Sequence, residues 1–374
     1  MGDTLERFTI HVDDRVLDDL RARLALTRFP DQIAETGWEY GIPVDYVRDL
    51  VGYWRNRYDW RTHEARLNEL DHFRTEIDGQ PIHFVHARST AADAFPLLLT
   101  HGWPGSVVEF LDVIPLLTAP GDGIAFDVVA PSLPGYAFSG PTHTRGWDVS
   151  RIARAFAALM DRLGYERYGA QGGDWGAQVA TRIGALDTGH CAAIHLNMPI
   201  ANPPAEPVEL GDADKADLAA MQRFARAESG YANEQATKPQ TLGVALNDSP
   251  AGLLAWIVEK LRTWSDCDGD PENVFTRDQM LTNVMAYWVT QTITSSARLY
   301  WEHQHTRDGQ PEYVAVPTGV ARYPKEILRY PRPWVEHRYN VTHWAEMPRG
   351  GHFAAMEQPE LFAGDLRTFF RTVA

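Results

Sequence analysis

Gly172-Gly173-Asp174-Trp175-Gly176 offers the most reactive arrangement in this chain. It follows a short run, Tyr168-Gly169-Ala170-Gln171, and opens a helical pattern carried by Ala177, Val179, Ala180 and Ile183. Small residues on both sides of a central residue permit a strained strand-to-helix elbow that exposes the central side chain. A serine at such an elbow needs a base to become a nucleophile. An aspartate, with a reference pKa of about 3.9, is an anion at pH 7 without one. A carboxylate that attacks an sp³ carbon leaves an alkyl ester, and hydrolysis of that ester requires a base to activate water. Taken alone, the motif is weak, since most such matches are ordinary turns or helix caps.

A base is available in Gly350-Gly351-His352-Phe353, after the last strand pattern and before a terminal helix with Phe353, Met356 and Leu361. One histidine among 14 is ordinarily structural, and what marks His352 is chain order: nucleophile, then acid, then histidine. The acid then belongs between the two. Glu326, ten residues after Val316 and 26 before His352, fits that place. Glu312, Asp308 and Glu346 are rivals, and surface solvation is the plainer explanation for any one of them. The turn His101-Gly102-Trp103-Pro104-Gly105 follows an apolar run, Pro96-Leu97-Leu98-Leu99-Thr100. Its backbone N–H groups can form half of an oxyanion hole, and the N–H after the elbow residue the other half. The alternative is a glycine-proline loop with a tryptophan packed beneath it.

These motifs need a frame that presents them together. Strands alternating with glycine turns and helices predict a mostly parallel sheet covered on both faces, with its chemistry at the carboxyl ends of the strands. Phe73, Thr75 and Ile77 alternate up to Asp78-Gly79, and Ile82, Phe84 and His86 alternate after it, which predicts a hairpin. A strand at Phe126–Ala130 and a helix near Arg151–Leu163 ending at Gly164 continue the pattern. Before it, Asp13 caps a helix with Val16, Leu17, Leu20 and Leu24 on one face, and a second helix begins near Pro43 with Val44, Val47, Val51 and Trp54. Asn202-Pro203-Pro204 opens about a hundred mainly helical residues, placed where a lid belongs. Ser249-Pro250 caps one helix there, and Thr276 caps another that runs towards Tyr300. Strands return at Tyr313–Val316 and Asn340–Glu346. The division expected is a helical extension over 1–72, a core over 73–199 and 304–374, and a lid over 200–303.

Composition narrows the function. Among 374 residues, 35 Lys and Arg against 50 Asp and Glu leave a formal charge of −15, which argues against a nucleic-acid partner. Two cysteines, Cys191 and Cys267, offer no metal knuckle and point to a reducing cytosol. The first residues show neither a secretory signal nor a myristoylation site, since Glu6 stands where Gly2 would need Ser or Thr. No apolar stretch has the length of a spanning helix. The expected location is cytoplasmic.

The chain resembles the epoxide hydrolases of the microsomal and juvenile-hormone type from Phe8 to the last helix. The resemblance rests on Tyr53-Trp54-Arg55-Asn56, the His-Gly-Trp-Pro-Gly turn, Pro131-Ser132-Leu133-Pro134-Gly135-Tyr136 and the Asp174 elbow. It continues through Glu228-Ser229-Gly230-Tyr231, Thr237-Lys238-Pro239, Ala245 to Pro250, Ser295 to Tyr300, Tyr323-Pro324-Lys325-Glu326 and Met347 to Phe353. It implies an α/β-hydrolase fold with a helical lid and a helical amino-terminal extension. It also implies Asp174 as nucleophile, His352 as base, Glu326 as its orienting acid, and Tyr231 and Tyr300 as the lid pair that protonates the epoxide oxygen. The oxyanion would lie between the N–H groups of Trp103 and Trp175. The implied reaction adds water to an apolar epoxide to give a vicinal diol, with no cofactor and no metal, and leaves a homodimer open. The membrane-bound relatives carry an apolar anchor, and this chain departs from them at its start, so no membrane anchor is expected. Two other readings stand beside it: a haloalkane dehalogenase, which needs halide-binding donors in place of paired phenols, and a non-catalytic ligand-binding relative. Trp256, Trp264, Tyr287 and Trp288 either shape a bulky apolar site or form lid core.

Overall fold

A computed structural model describes residues 4–120, 123–306 and 313–374; Gly2, Asp308 and Glu312 lie outside them. Among the described residues the strand patterns assemble into one sheet. Its strands are β1 (Glu6–Phe8), β2 (His72–Ile77), β3 (Gln80–Ala87), β4 (Phe95–Thr100), β5 (Phe126–Pro131), β6 (Tyr168–Gly172), β7 (Cys191–Leu196), β8 (Val314–Arg322) and β9 (Tyr339–Glu346). Their spatial order is β1-β2-β3-β5-β4-β6-β7-β8-β9. The first four in that order pair antiparallel, and every later pairing is parallel. Asp78 and Gly79 form the two-residue turn between β2 and β3, both with positive φ, the conformation whose twist suits a hairpin.

The central strands are apolar throughout because both faces are covered. Along β4, Leu98 belongs to one buried cluster while Leu97 and Leu99 belong to another across the sheet. β4 lies between β5 and β6, so the direction in which successive strands are added reverses there. At such a switch point a crevice opens beyond the carboxyl ends of the strands. Thr100 and Gly172, the last residues of β4 and β6, face that crevice as register partners.

The extension forms the expected helices Asp14–Ala25 and Val44–Asn56, the first capped by the Asp13 carboxylate at 2.9 Å from Arg15 N. A third helix, Trp60–Leu67, was not expected. Its buried face carries Glu64, whose carboxylate accepts the Val12 N–H at 2.7 Å and the Trp60 Nε1–H at 3.0 Å, so a charge interrupts the apolar pattern.

Between β7 and β8 the described residues form helices alone: Asp212–Ala227, Gly230–Thr237, Pro239–Asp248, Pro250–Trp264, Arg277–Trp288 and Ile293–His305. Ser249 caps the fourth as expected, its hydroxyl accepting the Gly252 N–H at 3.0 Å. The helix capped by Thr276 does not run on to Tyr300. It stops at Trp288, and Gln291 takes a left-handed conformation (φ 54) before the last helix starts. Thr292 holds this break to the core, its hydroxyl accepting the Ala137 N–H at 3.0 Å. β8 is also longer than expected, reaching Arg322, and it accommodates Pro317 and Gly319 at register shifts against β9.

Cys191 and Cys267 are buried free thiols. No single helix among the described residues is long and apolar enough to cross a membrane.

Candidate active site

Asp174 is the first residue of the helix Asp174–Leu186 and has φ 50, in the left-handed region. For a residue with a side chain this costs about 1–2 kcal/mol, and the surroundings must enforce it. They do so through close backbone approach. A Cβ on Gly172 would overlap the Gly176 carbonyl, and one on Gly176 would overlap the Thr100 carbonyl oxygen. The Asp174 side chain therefore stands at the helix N-terminus, where the backbone dipoles favour an anion. Its Oδ1 accepts the Trp103 N–H at 2.8 Å. Trp175, second in the helix, has an N–H without an intrahelical acceptor.

The turn that supplies Trp103 is clamped from two sides. Beneath it, buried His101 accepts the Leu133 N–H on Nε2 at 3.2 Å, so its Nδ1 carries the proton and donates to the Gly102 carbonyl at 2.9 Å. Burial holds this imidazole neutral, with its pKa down at about 4. From the helical insertion, Asn283 Nδ2 donates to the Pro104 carbonyl at 2.8 Å and Tyr287 Oη to that of Gly105 at 2.6 Å.

His352 lies between two carboxylates. Its Nε2 is 3.4 Å from Asp174 Oδ2 and its Nδ1 is 2.7 Å from Glu326 Oε1. Burial opposes the imidazolium, but Glu326 and Asp174 outweigh it and hold the pKa of His352 well above its ordinary value. Glu326 is 5% exposed and also accepts the Ile327 N–H at 2.7 Å, which fixes its carboxylate. Its rival Glu346 is exposed and pairs with Arg322 at 2.9 Å.

The histidine loop is held by a residue the sequence did not reveal. Buried Glu357 accepts the N–H groups of Asp266 at 2.8 Å, Gly351 at 3.0 Å and Phe353 at 3.0 Å. The His352 N–H donates to the Trp264 carbonyl at 2.9 Å, and a Cβ on Gly351 would come within 2.6 Å of that same oxygen. The insertion and the histidine loop thus meet backbone to backbone.

Tyr231 and Tyr300 come together from different helices of the insertion, ring centroids 6.0 Å apart. Tyr231 stacks on Trp103 at 5.2 Å, and Tyr300 meets Trp175 edge-on at 4.8 Å, so each phenol leans on an indole next to Asp174. Burial raises the pKa of both phenols, and the Asp174 charge raises them further; Tyr231 adds to the rise at Tyr300. They remain protonated donors. Of the four insertion aromatics, Trp264 reaches the site, 5.0 Å from both the Tyr231 and His352 rings. Tyr287 packs behind the turn, and Trp288 lines a groove of about 1030 Å³ that contains none of the site residues expected from sequence.

One further carboxyl was missed. Glu109 folds back so that a Cβ on Gly105 would overlap its Oε1, and it lines a cavity of about 20 Å³ shared with Asp174 and His352. Burial pushes its pKa up to about 8; His352 opposes that rise and Asp174 adds to it. In sequence it is a lone acid on an otherwise apolar stretch, Val107–Phe110, with no spacing to mark it.

Residues 5–110 match the family model for the epoxide hydrolase N terminus, and residues 96–246 that for the alpha/beta hydrolase fold. Epoxide hydrolase 1 of Sus scrofa is 38% identical over 402 residues, which span 98% of this chain and 88% of that protein. The crystal structure of juvenile hormone epoxide hydrolase from the silkworm Bombyx mori matches with a TM-score of 0.93 at 32% identity, over 99% of this chain and 95% of the other. The structure of Aspergillus niger epoxide hydrolase matches with a TM-score of 0.90 at 34% identity, over 99% and 97% respectively.

Proposed function

This chain belongs to the epoxide hydrolase family and is an epoxide hydrolase, and from that premise we propose that it opens the epoxide through a covalent alkyl ester on Asp174. The observation that carries the proposal is the Asp174–His352–Glu326 line, with separations of 3.4 and 2.7 Å, facing two buried phenols. Asp174 attacks a ring carbon through Oδ2 while Oδ1 keeps the Trp103 N–H. Tyr231 and Tyr300 donate to the ring oxygen, so the leaving alkoxide is captured as it forms. Their raised pKa values make them weak acids, and opening the strained ring supplies the driving force.

Ester formation changes the charges around His352. In the resting protein two carboxylates favour its proton. Alkylation removes the charge of Asp174, and with it one of the two influences that hold the proton. The imidazolium gives that proton up to replace the one the phenols pass to the ring oxygen, so a neutral imidazole is left to serve as base, and Glu326 keeps its Nδ1–H oriented. Water activated at Nε2 adds to the Asp174 carbonyl carbon. The developing oxyanion is held by the N–H groups of Trp103 and Trp175, preorganised donors of the kind worth about 2.7–4 kcal/mol each. The helical insertion acts as the lid, and its apolar, aromatic lining suits an apolar epoxide. The paired phenols favour this reading over dehalogenation.

A single turnover in ¹⁸O-labelled water tests the route. Label should enter the Asp174 carboxylate and be absent from the first diol released. Diol carrying the label, with unlabelled Asp174, contradicts a covalent ester and indicates direct attack by water.

A further inference from the structure

Resting on that covalent reading, we propose that Glu109 is a positioning residue for the second half of the reaction, holding the water that hydrolyses the ester on Asp174.

The geometry makes Glu109 an unusual acid. It sits on the single turn Val107–Phe110, directly after the turn that carries Trp103, and its carboxyl folds back into the space a side chain on residue 105 would take. Gly105 is needed there to admit it. Among the described residues no lysine, arginine or histidine lies within ion-pair distance, so Glu109 is not one half of a structural salt bridge. It faces the cavity of about 20 Å³ that borders Asp174 and His352. A single water needs about 10–15 Å³ and two to four polar partners. The walls supply them. Thr100 and Gln171 line the cavity, and each carries a buried oxygen without a protein partner, Oγ1 and Oε1 respectively; Glu109 is a third polar lining residue. An apolar pocket of this size would stay dry; this one is lined for water.

The charges suit the order of events. In the resting protein Glu109 is neutral near pH 7, held so by burial, with Asp174 adding to the effect. It therefore does not set a second anion beside the nucleophile. Hydrolysis then balances as follows. The water donates one O–H to Glu109 and passes the other proton to His352 Nε2 as its oxygen bonds to the Asp174 carbonyl carbon. When the tetrahedral species collapses, the bond from that carbon to the alkyl oxygen breaks, and the leaving alkoxide takes the proton from His352. Asp174, left as the carboxylic acid with the water's second proton, ionises by passing that proton to the freed imidazole. Glu109 ends as it began.

The test separates the two half-reactions by rapid quench and intact-mass spectrometry with styrene oxide. Glu109→Leu keeps the volume and loses the acceptor. It should form the ester within about threefold of the native rate and hydrolyse it roughly 10–100-fold more slowly, as expected when a reacting group loses its positioning. Glu109→Gln, which retains an acceptor of the same shape, should recover most of that loss. Normal hydrolysis in the Leu variant overturns the proposal. Equal slowing of both steps also overturns it, since packing alone would do that, as does a Gln variant as slow as Leu. Should the Leu variant not fold, Glu109→Asp carries the test: drawing the carboxyl back by one methylene should slow ester hydrolysis and spare ester formation. A failure of the covalent reading looks different, because no adduct would then appear even in His352→Gln.

Discussion

At the elbow, Asp174 is fixed by main chain packed on main chain, and Gly172 and Gly176 are the residues that let it approach. Across the site, Tyr231 and Tyr300 are fixed by rings: Tyr231 by Trp103 and Trp264, Tyr300 by Trp103 and Trp175. The first arrangement rests on five consecutive residues set against the end of β4 and tolerates no side chain at its glycines. The second draws on residues from 103 to 300 and depends on side chains that interlock. Backbone packing holds the proposed nucleophile in one position. Ring packing sets the two proposed donors side by side, their ring centroids 6.0 Å apart.

That difference predicts how each half fails. Asp174→Asn should abolish turnover with the fold intact, because an amide of the same shape is no nucleophile. Full activity in freshly purified variant, with deamidation excluded by mass spectrometry, would put the nucleophile elsewhere. The phenols should fail by degrees. Tyr231→Phe and Tyr300→Phe should each slow ester formation, the remaining donor covering part of the loss. The double variant should lose far more, within the roughly 10²–10⁴-fold that general acid catalysis supplies. If single-turnover kinetics show the double variant forming ester at the native rate, the two phenols are packing and nothing else.

The smallest effect concerns stability. The carboxyl of Glu109 titrates at about 8 in the folded protein against an ordinary 4.5. As pH rises from about 4.5, the unfolded chain releases this proton and the folded protein keeps it. The folded state therefore loses stability relative to the unfolded one up to about pH 8, and the loss levels off above that. Glu109→Gln lacks the effect, so melting curves should show the variant gaining on the native protein across that window. A constant difference from about pH 5 to about pH 9 would mean that Glu109 is not held protonated.

The same contrast explains what the sequence made legible. The parallel sheet, the hairpin at Asp78-Gly79 and the elbow are written in neighbouring residues, as strand periodicity, turn glycines and a short motif. Order along the chain points to His352 and Glu326, and only the family resemblance points to the phenols. Glu357 and Glu109 left no local mark. Glu357 matters through three N–H groups, one of them 91 residues away, and Glu109 through a space that Gly105 vacates. The break before Ile293 was hidden for a related reason: the apolar pattern continues across it, and tertiary anchoring at Thr292 ends the helix. Contacts distant in sequence have no periodicity to read.

The most direct test of the account replaces the base and leaves the nucleophile alone. An anionic Asp174 needs no base to attack, so His352→Gln should still open the epoxide and then stall. Intact-mass spectrometry after mixing with styrene oxide should show protein heavier by one substrate, with the addition mapped to the peptide holding Asp174. A His352→Gln variant that binds the epoxide, accumulates no adduct and turns over at the native rate contradicts the account.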